Sequence, residues 1–195
     1  LQEGVELTRV DAISESFGMP MGPFSVADAV GYDVCFKVAN ELAKGYPTRM
    51  DVPDICQQIY DKGDILGSKT GKGFYFKNKK EKIVNPDLNS LLYHYQVMSK
   101  GFINDELIID RLILVQFNEA CRCLEEGIVE SPQLLDYAMI MGAGFPPFRG
   151  GLCRYADNRG LNDVYDRLNE LMGHYGERFK PTALLKNIIE NNQSF

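Results

Sequence analysis

Histidine is scarce in this sequence: only His94 and His174 occur among 195 residues. With no cluster of cysteine, aspartate and histidine around them, a nitrogen- and sulfur-ligated metal site has no ligand set, and no metal-binding residue is assigned. The five cysteines, Cys35, Cys56, Cys121, Cys123 and Cys153, are odd in number and sit mostly in apolar, helix-like contexts. That pattern excludes a disulfide framework and fits a reducing compartment. Cys121 and Cys123 lie two apart on a predicted helix, so their side chains diverge by about 200° and do not form a two-ligand pair. There is no surplus of positive charge either. Lys and Arg total 21 against 27 for Asp and Glu, a formal charge of −6 that gives no overall attraction to nucleic acid or to an acidic membrane face. No apolar run approaches the roughly 20 residues of a transmembrane helix, and the first residues lack the order of a signal peptide. What is present, 45% hydrophobic and 25% charged residues, is the composition of a folding globular chain. Its length suffices for one sizeable core or two subdomains of about 100 residues each.

The hydrophobic pattern is helical almost throughout. Residues 1–4 read as the last turn of a helix already under way, ended by Gly4. Thr8 followed by Asp11 resembles an N-cap with an acidic partner, and Val10, Ile13 and Phe17 give a short apolar face ending at Gly18. Gly22-Pro23-Phe24 turns the chain and Ser25 is placed to cap the next helix. There Val26, Val30, Val34, Val38 and Leu42 recur every fourth residue, which predicts their packed side, with Gly31 a break within it. A helix opened by Asp51 and Pro53 carries Ile55 and Ile59 and stops at Gly63. Gly67, Gly71 and Gly73 then lead into Phe74-Tyr75-Phe76, a glycine-rich bend followed by a short extended piece. Lys77, Lys79, Lys80 and Lys82 form a basic connector, and Asn85-Pro86-Asp87 a turn. The division therefore falls between 1–88 and 89–195. In the second part a long, widely apolar helix is predicted over 105–126, capped by Gly127 and central to its core. Ser131-Pro132 opens the next helix, which Gly142 ends. Further helices carry Leu161, Val164, Leu168 and Met172, then Leu184, Leu185, Ile188 and Ile189, and the last five residues are expected to fray.

The two parts echo each other in order. Leu1-Gln2-Glu3-Gly4 matches Leu124-Glu125-Glu126-Gly127, and the stretch from Gly18 to Pro23-Phe24 matches Gly142 to Pro147-Phe148 at an offset of 124. Beyond it the offset becomes 129. Ala27-Asp28 aligns with Ala156-Asp157, Gly31 with Gly160, and Asn40-Glu41-Leu42 with Asn169-Glu170-Leu171, so the second copy's extra five residues follow Phe148. The reading is an all-α chain of two similar helical subdomains with pseudo-two-fold symmetry, the first truncated at its N-terminus. Pro23-Phe24 and Pro147-Phe148 are expected to be equivalent corners, with at least one phenylalanine buried.

Chemistry is sparse along the chain. Gly67-Ser68-Lys69-Thr70-Gly71-Lys72-Gly73 has neither the spacing of a Walker loop nor the context of a dinucleotide fingerprint. It reads as a structural bend, the alternative being that Lys69 or Lys72 meets a cofactor phosphate at a domain boundary. Arg111 and Asn118, seven apart on the central helix near Asp110 and Glu119, read as a register-fixing polar network rather than a catalytic pair. His94 and His174 read as structural or exposed. Gly144-Phe145-Pro146-Pro147-Phe148-Arg149-Gly150-Gly151 is a rigid corner holding two helices at a fixed angle, with Arg149 a further candidate for an anion.

Gly18-Met19-Pro20-Met21-Gly22-Pro23-Phe24, then Asp28, Gly31 and Asp33, and Gly71-Lys72-Gly73-Phe74-Tyr75, resemble the helical C-terminal domain of 3-hydroxyacyl-CoA dehydrogenases. Asn118-Glu119-Ala120, Cys123-Leu124-Glu125-Glu126-Gly127 and the 144–151 corner resemble the second helical copy of the multifunctional fatty-acid β-oxidation enzymes, of the alpha-subunit type. The resemblance implies a parent with a hydratase domain, an NAD-binding domain and two helical domains that imitate the dimer of shorter relatives. In that family a histidine and a glutamate of the nucleotide domain act on the 3-hydroxyl group. An asparagine of the first copy's opening helix assists them; Asp110 stands at the matching position of the second copy. The resemblance thus assigns no catalytic or cofactor-binding residue to this chain, and NAD belongs to the parent. It implies the upstream nucleotide-binding domain as partner, acyl-CoA at the domain boundary and a thiolase subunit in the parent complex. The compartment it implies is the cytoplasm, or the mitochondrial matrix in a eukaryote. The competing reading is a non-enzymatic helical interaction module, which predicts a large exposed apolar face.

Overall fold

A computed structural model describes residues 1–77, 82–97 and 101–195; Lys79 and Lys80 of the basic connector lie outside the described residues. The chain forms two compact units, one of Leu1–Glu15 with Met21–Ile103, the other of Ser16–Pro20 with Asn104–Phe195.

The first unit contains most of α1 (Leu7–Phe17), then α2 (Pro23–Val30), α3 (Tyr32–Gly45) and α4 (Asp54–Asp61). A small antiparallel ribbon follows, β1 (Tyr75–Lys77) with β2 (Lys82–Val84), in the register Tyr75↔Val84, and then α5 (Asp87–His94). The aromatic stretch after Gly73 is thus extended, as its composition predicts. Gly31 separates α2 from α3 with φ 104°, a backbone state that glycine tolerates because it has no Cβ.

The stripe of Val26, Val30, Val34, Val38 and Leu42 is not the packed side: all five are exposed. Tyr32 and Phe36, four apart on α3, take the inner face instead. The Phe36 ring stacks on Tyr60 at 4.6 Å, and Tyr32 meets Phe74 edge-on at 5.5 Å. Two aromatic rings at helical spacing remove far more apolar area from water than valines would, and the ribbon and α4 supply matching surfaces. Leu7, Ile55, Ile59, Ile65 and Leu88 complete this core.

The second unit is built on α6 (Asp105–Glu125), whose Asn104 side chain accepts the Leu107 amide at 2.8 Å as the N-cap. Its Leu114, Phe117 and Cys121 are fully buried, as a widely apolar helix requires. Around it lie α7 (Pro132–Ala143), α8 (Leu152–Arg159), α9 (Leu161–Tyr175) and α10 (Ala183–Glu190), with single 3-10 turns at Pro147–Arg149 and Glu177–Phe179. The N-cap of α7 is Ser131 and that of α10 is Thr182. Helix α7 runs past Gly142 and ends at Gly144, which adopts the left-handed conformation. The C-terminus does not fray at its last residue: the Phe195 ring packs edge-on to Phe117 at 5.5 Å, and its amide donates to Asp157 at 3.2 Å.

The expected equivalence of Pro23-Phe24 with Pro147-Phe148 is also overturned. Phe24 is only partly buried, and Phe148 is 75% exposed. Phe145 is the buried anchor of the 144–151 corner, fully enclosed and 5.9 Å from the Phe17 ring. Pro146 and Pro147 reverse the chain just after Phe145, so Phe148 is carried to the surface. Phe148→Ala is therefore expected to change the unfolding free energy by no more than about 1 kcal/mol, measured by urea titration.

Candidate functional site: carboxylates at the helix corners

The structure gathers buried carboxylates at the points where each unit turns. Asp11, pointing inward from α1, accepts the amides of Phe24 (2.9 Å) and Ser25 (3.0 Å), the Ser25 hydroxyl (2.6 Å) and the Tyr75 hydroxyl (3.0 Å). It thus caps the N-terminus of α2 from another helix, where those amides have no partner of their own. Ser25, expected as the cap, donates to it instead; Thr8 lies inside α1 rather than ahead of it. Gly22 makes the arrangement possible, because a Cβ there would fall 2.3 Å from the Asp11 backbone.

In the second unit Asp136 of α7 accepts the amides of Cys153 (2.7 Å) and Arg154 (3.0 Å) at the start of α8. Gly151 stands where Gly22 does, its Cβ position 2.3 Å from Asp136. The corner equivalence is therefore Gly22-Pro23-Phe24 with Gly151-Leu152-Cys153, at the offset of 129. The extra residues of the second copy therefore lie between Asp136 and Gly151, a stretch that includes the turn Pro147–Arg149.

Asp28 performs the second clamp of the first unit. Its carboxylate accepts the amides of Phe74 (2.8 Å) and Tyr75 (2.9 Å), and its own carbonyl accepts the Ser68 amide at 2.8 Å. Gly67 and Gly73 wrap against it so closely that a Cβ on either would lie within 2.3 Å of Asp28 atoms. Asn85, buried, closes the loop by donating to the Gly73 carbonyl at 2.8 Å. The glycine-rich string is a bend around a carboxylate rather than a cradle for a phosphate. Its two lysines are paired with acids: Lys69 with Asp33 at 2.7 Å, Lys72 with Asp64 at 2.5 Å and Asp87 at 2.7 Å. Hydrogen bonds from these lysines hold Asp33 and Asp64 below the usual carboxylate range. Asp157, matched to Asp28 at the same offset, accepts from Phe195 as Asp28 does from Phe74.

Burial raises Asp28 and Asp136 above the ordinary carboxylate value, and the backbone amides only partly offset it. For a group raised on folding, the stabilising contribution is complete below its unfolded value of 3.8 and is lost as pH rises through the folded value. The urea midpoint of the wild type is thus expected to exceed that of Asp28→Asn by more at pH 4 than at pH 7. An equal gap at both would contradict it.

The remaining candidates fall into structural roles. Arg111 stacks over Tyr175 at 4.0 Å, and Asn118 donates to the carbonyls of Arg178 (3.1 Å) and Lys180 (2.8 Å). Glu119 pairs with Arg122 at 3.2 Å. Asp110, the position the resemblance singled out, is buried between Arg159 and Arg167, with the Arg167 contact at 2.6 Å. Arg149 lies over the Phe17 ring at 3.8 Å and donates to the Phe17 carbonyl at 2.8 Å. His94 and His174 are exposed, beside Tyr95 and Tyr175. The sequence reading missed Asp11 and Asp136 as corner caps. The available signal was an acidic residue preceding a Gly-opened helix in both copies.

Capped corners repeated along an all-helical chain define a tandem scaffold whose carboxylates bind backbone rather than a reactive group. The model of the 3-hydroxyacyl-CoA dehydrogenase C-terminal domain matches twice, over residues 1–77 and 107–194, and the chain belongs to that family. It is 39% identical over its whole length to the fatty acid oxidation complex subunit alpha of Acinetobacter baylyi and 38% to that of Psychrobacter arcticus. It spans 28% of the length of each. Among solved structures, the dehydrogenase part of multifunctional enzyme 1 from C. elegans superposes with a TM-score of 0.70 at 27% identity, covering 94% of this chain and 42% of that one. 3-Hydroxybutyryl-CoA dehydrogenase from Escherichia coli K12 shares the fold, with a TM-score of 0.72 at 22% identity, covering 94% and 55%. Among the described residues no helix is long and apolar enough to cross a membrane.

Proposed function

We propose that this chain is the C-terminal part of an NAD-dependent 3-hydroxyacyl-CoA dehydrogenase of fatty-acid β-oxidation whose parent also carries enoyl-CoA hydratase activity. In that reading it supplies acyl-CoA-side walls and a helical packing surface, and residues of an upstream nucleotide-binding domain perform the chemistry. There a general base takes the 3-hydroxyl proton while hydride passes to NAD, leaving a 3-ketoacyl thioester. The carrying observation is the commitment of the corner carboxylates to backbone amides, whose hydrogen bonds already occupy their oxygens and so support a holding role. In the same reading the chain divides into two domain copies, 1–88 and 89–195, with α5 packed through Leu88 on the first unit's core. Acyl-CoA contact at the domain boundary, a thiolase subunit as partner, and a cytoplasmic or matrix location belong to the same reading. Any contact through Lys69, Lys72 or Arg149 competes with the partners these side chains already have, and at an exposed surface it is screened by salt.

The isolated chain is expected to be folded and to give no enzyme-dependent NADH with a medium-chain 3-hydroxyacyl-CoA and NAD, while the full-length parent does. NADH formation that tracks the chain through purification would overturn the proposal. The alternative of a helical interaction module draws on one observation, the exposed Leu134, Tyr137 and Met141 along α7.

A further inference from the structure

One aspartate position is used twice in this chain, and its partners come from unrelated stretches of backbone. Gly31 and Gly160 share one backbone state, φ 104° and ψ 122° against φ 99° and ψ 118°, which sets Asp28 and Asp157 in equivalent places before them. Oδ1 of Asp28 accepts the Phe74 amide at 2.8 Å, and Oδ1 of Asp157 accepts the Phe195 amide at 3.2 Å. Both donors are phenylalanines whose rings meet another aromatic ring, Phe74 against Phe24 at 5.0 Å and Phe195 against Phe117 at 5.5 Å. Phe74 arrives from the glycine-rich bend and Phe195 from the segment after α10. Two chain routes ending in one contact mean that the contact selects an aromatic residue with a backbone N–H and not a particular connection. We propose that Asp157 and Phe117 form a peptide-binding slot for such a residue, which 191–195 fill as a releasable strap.

The two clamps differ in how firmly they are closed. Around Asp28, Tyr75 supplies a second amide, Gly67 and Gly73 press on the aspartate, and Asn85 ties down the Gly73 carbonyl. The strap is held by less. Its residues 191–194 are exposed, and Phe195 is the one that packs on the core. Asn192 turns the segment back with φ 52°, a left-handed state that costs a residue other than glycine. The Gln193 amide, donating to the Ile188 carbonyl at 2.9 Å, holds that turn. With so few contacts to break, the strap opens while the rest of the unit stays folded. Opening uncovers Phe117, otherwise fully buried, and frees the Asp157 oxygen. An extended peptide carrying phenylalanine restores both contacts. The slot lies within the second unit and requires no dehydrogenase chemistry.

In the wild type, the Gln193 and Phe195 amides are expected to exchange at least about a hundred-fold faster than those of Phe117 and Asn118. Equal rates would mean that the strap opens only with the whole unit, which overturns the proposal. Binding in trans is tested with a synthetic acetylated peptide of residues 188–195, titrated against the chain carrying Phe195→Ala, with the Phe117 ring resonances as the readout. A tethered strap competes at roughly millimolar effective concentration, so the peptide is expected to bind Phe195→Ala about ten-fold or more tightly than it binds the wild type. Adding Asp157→Ala is expected to weaken that binding by about ten-fold, and alanine in place of the peptide's phenylalanine to abolish it. No movement of the Phe117 resonances in Phe195→Ala at millimolar peptide, or equal binding to the wild type, overturns the proposal. So does binding that is unchanged by Asp157→Ala or by the loss of the peptide's phenylalanine. None of these readouts involves NADH, so failure here is distinguishable from failure of the dehydrogenase reading.

Discussion

Asp110→Ala is expected to destabilise the second unit by about 3–5 kcal/mol, because it leaves two guanidinium groups facing each other without the carboxylate between them. Asp110 is 1% exposed, and both Arg159 and Arg167 are four-fifths buried. Each arginine keeps an exposed second partner, Asp163 and Glu170, which holds its charge but does not neutralise the interior side. The loss comes mainly from the unpaired buried cations, and a companion variant separates this from the worth of the triad itself. Asp110→Leu combined with Arg159→Met and Arg167→Met removes every charge while keeping volume, and it is expected to recover most of the stability. The first unit already presents Val30 and Val38 at the positions matching the arginines. If urea titration gives Asp110→Ala a loss below about 1 kcal/mol, the triad is a surface-like pair in energetic terms.

Asp11→Ala is expected to cost the first unit about 3–5 kcal/mol, with Asp11→Asn intermediate. Alanine strands four donors at once, the amides of Phe24 and Ser25 and the hydroxyls of Ser25 and Tyr75. An unsatisfied buried donor costs about 1–3 kcal/mol, and a lost helix cap about 0.5–2 kcal/mol, with overlap between the two. Asparagine keeps one acceptor and turns a donor toward another donor, so its loss is smaller but real. Hydrogen exchange at the Phe24 and Ser25 amides locates the effect, since protection there should fall first. Equal midpoints for wild type and Asp11→Ala would mean that the capped corner does not hold α1 to α2.

Much of the fold is legible in the sequence because its signals are local. The N-caps Asn104, Ser131 and Thr182 precede their helices as capping chemistry demands, and the wide apolar surface of α6 marks it as central. The tandem repeat is legible too, through Gly31 and Gly160 and through the Asn-Glu-Leu strings. The errors arise where local pattern and tertiary partner disagree. A valine every fourth residue is a perfect helical face, yet Tyr32 and Phe36 offer another face of the same helix, and periodicity does not rank the two. The corner was misplaced by five residues because Pro-Phe occurs in both copies. Backbone geometry equates Phe24 with Cys153 and leaves Phe148 in solvent. Asp11 sat inside a plausible capping pattern with Thr8, and nothing local reveals that its partners lie 13 and 14 residues further on.

By itself, then, the sequence determined what depends on neighbours along the chain: helix positions, the glycine breaks, the repeat and the family it resembles. The tertiary structure decided which face of each helix is buried, which carboxylate caps which corner, and that Asp110 is gripped by arginines from two other helices. Those outcomes depend on desolvation and on partners distant in sequence. A buried aspartate and an exposed one look alike until the donors that surround it are in place.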